Sequence, residues 1–70
     1  MLIFHIKSAP NGDGKRTEYV IFEHALLWMC NLPYRPGHAH VCVRGGQSAS
    51  DESFTFVTDE TVESILQRNL

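Results

Sequence analysis

The sequence predicts an α+β fold: a four-stranded antiparallel sheet with two helices on one face, in ββαββα order. Three observations lead there. Residues 2–8, 17–22, 38–44 and 54–57 are short runs rich in β-branched and aromatic residues, separated by turn-forming sequences. Two further segments place apolar residues at i, i+3, i+4 and i+7, the spacing of one helix face. A shift of 37 positions then lays one half of the chain on the other: Phe4 and Ile6 meet Val41 and Val43, and Ala25, Trp28 and Met29 meet Val62, Ile65 and Leu66. A ββα unit is too small to bury its own apolar face. Two of them can share one sheet with both helices on the same side.

Taken in order, LIFHIKS at residues 2–8 reads as the first strand and runs into Pro-Asn-Gly-Asp-Gly, whose glycines supply the positive φ of a tight turn. TEYVIF at residues 17–22 is the returning strand, so the two form a hairpin with a basic-tipped loop. EHALLWMCNL at residues 23–32 contains strong helix formers, with Ala25, Trp28, Met29 and Leu32 in helical phase, and Pro33 ends it. A proline-bracketed connection leads to HAHVCVR, an alternating strand. GGQSASDES at residues 45–53 is small and polar and reads as a loop. FTFV is a short strand, and Thr58 or Asp59 is expected to cap a last helix with Val62, Ile65, Leu66 and Leu70 on its apolar side. The expected core is Leu2, Phe4, Ile6, Val20, Phe22, Ala25, Trp28, Met29, Leu32, Val41, Val43, Val57, Val62, Ile65 and Leu66.

Seventy residues leave room for one small domain spanning 1–70. With 43% hydrophobic and 20% charged residues the composition is globular, which speaks against a disordered chain or a coiled coil. A chain this short has little free energy with which to maintain a deep, dry cavity, so catalysis and a small-molecule substrate are not expected. The net charge of -2 argues against nucleic acid as the main partner. The charge is uneven: residues 1–45 hold five Lys and Arg against three acids, and residues 46–70 hold Arg68 against five acids. The start of the chain lacks the basic-then-apolar pattern of a leader, and no apolar run has the length of a membrane span, so a cytoplasmic protein is expected. Cys30 and Cys42 are too few for a disulfide framework and read as reduced thiols.

Four constellations bear on function. The first predicted helix carries Leu26 and Leu27 where the shifted alignment places Glu63 and Ser64 on the second, and Cys30 adds to them. A helix apolar nearly all the way round needs a cover that a 70-residue chain offers little of, which predicts a protein interface through Leu26, Leu27 and Cys30, with Trp28 beneath them; the alternatives are that a loop or the Tyr34–Pro36 segment folds over it, or that LLWMC is a buried strand. Acids Asp51, Glu52, Asp59, Glu60 and Glu63 offer a patch to a basic partner or a rim around that interface. His38, His40 and Cys42 alternate along one strand, a weak zinc pattern that needs a further ligand such as His5. Finally, His5, Lys7, His38, His40 and Arg44 would form a mildly basic face for nucleic acid if one sheet gathered them.

The expected function is therefore a small non-catalytic protein-binding domain, an inhibitor or adaptor of a larger protein machine, possible also as a homodimer. Its size is typical of proteins encoded by phages and mobile elements. No cofactor, metal or membrane is expected. The alternatives are a nucleic-acid-binding module on the histidine-rich face and a small zinc-binding domain.

Overall fold

A computed structural model describes residues 2–45 and 53–70 of the chain. Five strands and one α-helix follow one another as β1 (Ile3–Lys7), β2 (Glu18–Phe22), β3 (Leu26–Asn31), β4 (Ala39–Arg44), β5 (Ser53–Thr58) and α1 (Val62–Asn69). They form two sheets. β1 and β2 make an antiparallel hairpin, and β3, β4 and β5 make an antiparallel sheet with β4 in the middle. The class is α+β, but the expected four-stranded sheet with two helices is not what forms.

The hairpin turns at residues 10–14 as its residue types require. The Asn11 side-chain Oδ1 accepts from the backbone N–H of Asp13 at 2.9 Å and of Lys15 at 3.1 Å. Gly14 takes φ 76°, a conformation that costs an L-residue with a side chain dearly. The register Phe4↔Ile21 and Ile6↔Tyr19 then fixes which face is buried. Phe4, Ile6 and Ile21 turn inward, while Val20 and Phe22 stand outside, contrary to their expected place in the core. The run YVIF has no polar residue to mark an outer face, so alternation alone left the two phases equivalent, and pairing with Phe4 and Ile6 decides between them.

The largest correction lies at residues 23–32. Instead of a helix, Glu23–Ala25 make one 3-10 turn and Leu26–Asn31 form β3, paired antiparallel to β4. A helix of ten residues is marginal without a face to pack on, whereas a strand beside β4 has its backbone partners supplied. The strand also sends Leu26 and Met29 toward the core, where they pack half-buried. With β3 in place of a helix, the second half's ββα pattern has no counterpart in the first, and the repeat dissolves.

The core lies between the sheets. Phe4, Ile6 and Ile21 of the hairpin meet Val41 and Val43 of β4, Phe56 of β5 and Ile65 of α1. Full burial of each such aliphatic side chain contributes about 1.5–3 kcal/mol. Tyr19 stacks on Phe56 with ring centroids 4.1 Å apart, and the Ala9 N–H donates to the Val57 carbonyl at 2.7 Å, so the two sheets are joined at both side-chain and backbone level. α1 begins at Thr61, whose Oγ1 accepts from Ser64 N–H at 3.1 Å; the cap is thus two or three residues later than the expected Thr58 or Asp59. Its apolar side is Ile65, fully buried, with Leu66 half-buried.

The helix also closes an edge. His5 N–H donates to Asn69 Oδ1 at 2.9 Å, and Arg68 Nη1 donates to the His5 carbonyl at 2.7 Å. The outward backbone groups of His5, at the middle of β1, are thereby satisfied by helix side chains rather than left open.

Candidate protein-binding surface

β3 is the outermost strand of its sheet, paired on one side only. The pairs Trp28↔Cys42 and Cys30↔His40 place these four residues on the sheet face turned away from the hairpin, because directly opposed residues share a face. The inner face carries Met29, Val41 and Phe56 in one row. A bulge between Leu26 and Trp28 shifts the register at the start of β3 and leaves Leu27 outside the regular alternation. Leu27 is 43% exposed and Trp28 47%, on a strand with no helix over its outer side. Cys30 is exposed beside them, and Trp28 meets the His40 ring edge-on at 5.8 Å.

The expected interface residues are accordingly brought to one strand, in changed roles. Leu27 and Cys30 are exposed, as an interface requires, while Leu26 is half-buried against the core. Trp28 does not support the surface from beneath but is part of it. A second apolar area, absent from the sequence reading, lies near the end of the hairpin, where Val20, Phe22 and Phe54 are all about half exposed around a groove of about 240 Å³ that also includes Tyr19, Ala25 and Arg44. No pattern in residues 18–22 marked it, for the reason given for the β2 phase.

The acids divide. Glu60 accepts from Ser64 Oγ at 3.0 Å and pairs with Arg68. Glu63 accepts from Asn31 Nδ2 at 3.2 Å, and its carboxyl is held below the ordinary range first by its own backbone N–H and then by Asn31. Asp59 makes a two-pronged pair with Arg16, at 2.7 Å and 2.6 Å, and this hydrogen bonding is the main cause of its lowered pKa. These three carboxylates are thus engaged within the chain, while Asp51 and Glu52 lie outside the described residues, as does most of the expected loop. A charged cleft of about 470 Å³ lies between β1 and the β5–α1 connection, lined by His5, Lys7, Arg16, Glu18, Thr58, Asp59, Glu60 and Arg68. Its cations and carboxylates are equal in number.

The histidines are not gathered. His5 and Lys7 stand on the outer face of the hairpin, with His5 Nδ1 3.9 Å from Glu18. His40 lies on the outer face of the other sheet against Trp28, and His38 Nδ1 is 3.2 Å from the Pro36 carbonyl. Arg44 is exposed at the far end of β4 and lines the apolar groove. Because the hairpin and β4 belong to different sheets, the single basic face imagined for nucleic acid does not assemble. Among the described residues no group of three or more His, Cys, Asp or Glu is placed to hold a metal ion. Cys42 is 4% exposed, and both cysteines are free thiols.

These features define a small α+β protein built from a hairpin, a three-stranded sheet and one helix, with an apolar edge strand on its surface. No protein-family model, curated protein or solved structure matches the chain. No described helix is long and apolar enough to cross a membrane.

Proposed function

We propose that the chain is a non-catalytic protein-binding domain, an adaptor or inhibitor of a larger assembly, and that it binds through β3. The supporting observation is the exposure of Leu27 and Trp28 side by side on an edge strand. Large apolar side chains scattered singly over a surface are ordinary. Adjacent ones on a strand with one unpaired edge combine desolvation with backbone hydrogen bonding, the two contributions a binding partner uses. Trp is also among the residue types that dominate interface energies.

The test compares two immobilised baits, the natural chain and Leu27→Asp. Leu27 is already exposed, so the aspartate leaves the far-UV circular dichroism spectrum unchanged. A polypeptide retained by the natural chain and lost from the variant supports the reading. Equal retention on both baits, or an unfolded variant, refutes the role given to Leu27.

A further inference from the structure

We infer that the partner of β3 is a second copy of this chain, joined edge to edge by antiparallel β3–β3 pairing about a two-fold axis at Cys30. This rests on the reading of β3 as the binding element and names its occupant.

Backbone direction comes first. Leu32 N–H donates to the His38 carbonyl at 3.0 Å, and the pairing 28↔42, 29↔41, 30↔40, 31↔39 continues the same register. Residues in phase with Leu32, namely Cys30 and Trp28, therefore aim their main-chain groups at β4. Met29 and Asn31 aim theirs the other way. Among the described residues nothing outside the sheet hydrogen-bonds the main chain of either. A row of outward N–H and C=O groups is matched by an extended strand, so the occupant is a strand.

Charge selects which strand. Pairing with a copy of itself opposes side chains from the same short sequence, so any net charge would face its like and repel. LLWMCN contains no Asp, Glu, Lys or Arg and meets that condition. It also lacks the lysine or proline with which exposed edges are commonly blunted, and its bulge is confined to the start, leaving residues 28–31 regular. The other edges are less suited. β1 is closed by Asn69 and Arg68 at His5, β2 carries Glu18, and β5, uncharged like β3, has its outer edge taken at Val57, whose carbonyl accepts from Ala9 N–H.

Register follows from the outward groups. Placing Met29 opposite Asn31 of the partner subunit uses both positions of both copies and satisfies the two-fold symmetry of an isologous dimer. It sets Cys30 opposite Cys30 of the partner subunit in a non-hydrogen-bonded pair, with Cα atoms about 4.5 Å apart. The product is a continuous six-stranded sheet with Trp28 on the outer face of each copy.

The deciding experiment is sedimentation velocity in reductant across a concentration series. The natural chain is expected to move from its 7.9 kDa monomer to twice that mass as concentration rises. Cys30→Ser preserves the association. Cys30→Lys, which sets two cations on the axis at an exposed position, weakens it at least about tenfold without altering the circular dichroism spectrum. Under oxidised glutathione the natural chain and Cys42→Ser form a covalent dimer and Cys30→Ser does not, because only the pair on the axis meets disulfide geometry. A chain that stays monomeric at every concentration overturns the inference, and so does a dimer indifferent to Cys30→Lys. A monomer that still retains some other protein in a Leu27-dependent way overturns self-pairing alone and leaves the protein-binding reading standing.

Discussion

Thr58 is the residue at which local chemistry and packing disagree. It is 1% exposed on β5, opposite Ala39, and its hydroxyl Oγ1 has no hydrogen-bond partner among the described residues. A buried hydroxyl in this condition has lost its water without replacement, at a cost of about 1–3 kcal/mol. Valine has nearly the same shape and no such debt. Thr58→Val is therefore expected to stabilise the fold by about 1 kcal/mol, which for a chain of this size raises the melting temperature by roughly 4–8 °C. Scanning calorimetry decides the matter, and an unchanged or lower midpoint would show that the hydroxyl is satisfied in solution. Asn31 is the opposite case. Its side chain accepts from Val62 N–H at 2.9 Å and donates to Glu63, so one amide on β3 caps a helix thirty-one positions away. Neither role is visible in the sequence, since an asparagine before Leu-Pro reads only as the end of a segment.

At the level of elements, four of the five strands and α1 were legible and β3 was not. β1, β2, β4 and β5 all fall within a residue or so of the runs that predicted them, because alternation and turn chemistry are local properties. α1 was equally plain, since Val62, Ile65 and Leu66 recur among charged neighbours. LLWMCN carries no such contrast. A short apolar run has no period to read, its residues favour a helix in isolation, and only the neighbouring β4 makes a strand the better solution. The candidate surface was legible to the same extent: a surplus of apolar side chains at residues 26–30 can be counted in the sequence, but their sharing of an edge cannot. The closure of β1 by α1 is likewise a tertiary event, and it makes a distinct prediction. Asn69→Ala removes the acceptor for His5 N–H, so hydrogen exchange at the His5 amide should accelerate. The Phe4 and Ile6 amides, whose register with Ile21 and Tyr19 is untouched, should keep their protection. Equal acceleration at all three would mean that the helix holds the hairpin as a whole and not its edge.

For the molecule as a whole, the question is whether two sheets amount to two folding units. A two-stranded hairpin is marginal in water by itself, and β1–β2 buries Phe4, Ile6 and Ile21 only against the other sheet and Ile65 of α1. The three-stranded sheet has the reciprocal need, since Val41, Val43 and Phe56 are buried by Phe4, Ile6 and Ile21. Neither sheet can lose the other and keep its core, so cooperativity should extend across both. Ile6 is the residue on which to test this, because it belongs to the hairpin and is 0% exposed within the shared cluster. A total stability of roughly 3–10 kcal/mol is expected for 70 residues, so a mild truncation is preferable. Ile6→Val should cost about 0.5–1.5 kcal/mol. Urea unfolding can be followed by Trp28 fluorescence, which reports the three-stranded sheet, and by the amide resonance of Tyr19, which reports the hairpin. With one shared core the two curves coincide in the natural chain, and Ile6→Val moves both midpoints down by the same amount. If the Tyr19 transition moves while the Trp28 transition stays, the hairpin unfolds by itself and the interface between the sheets contributes little to either.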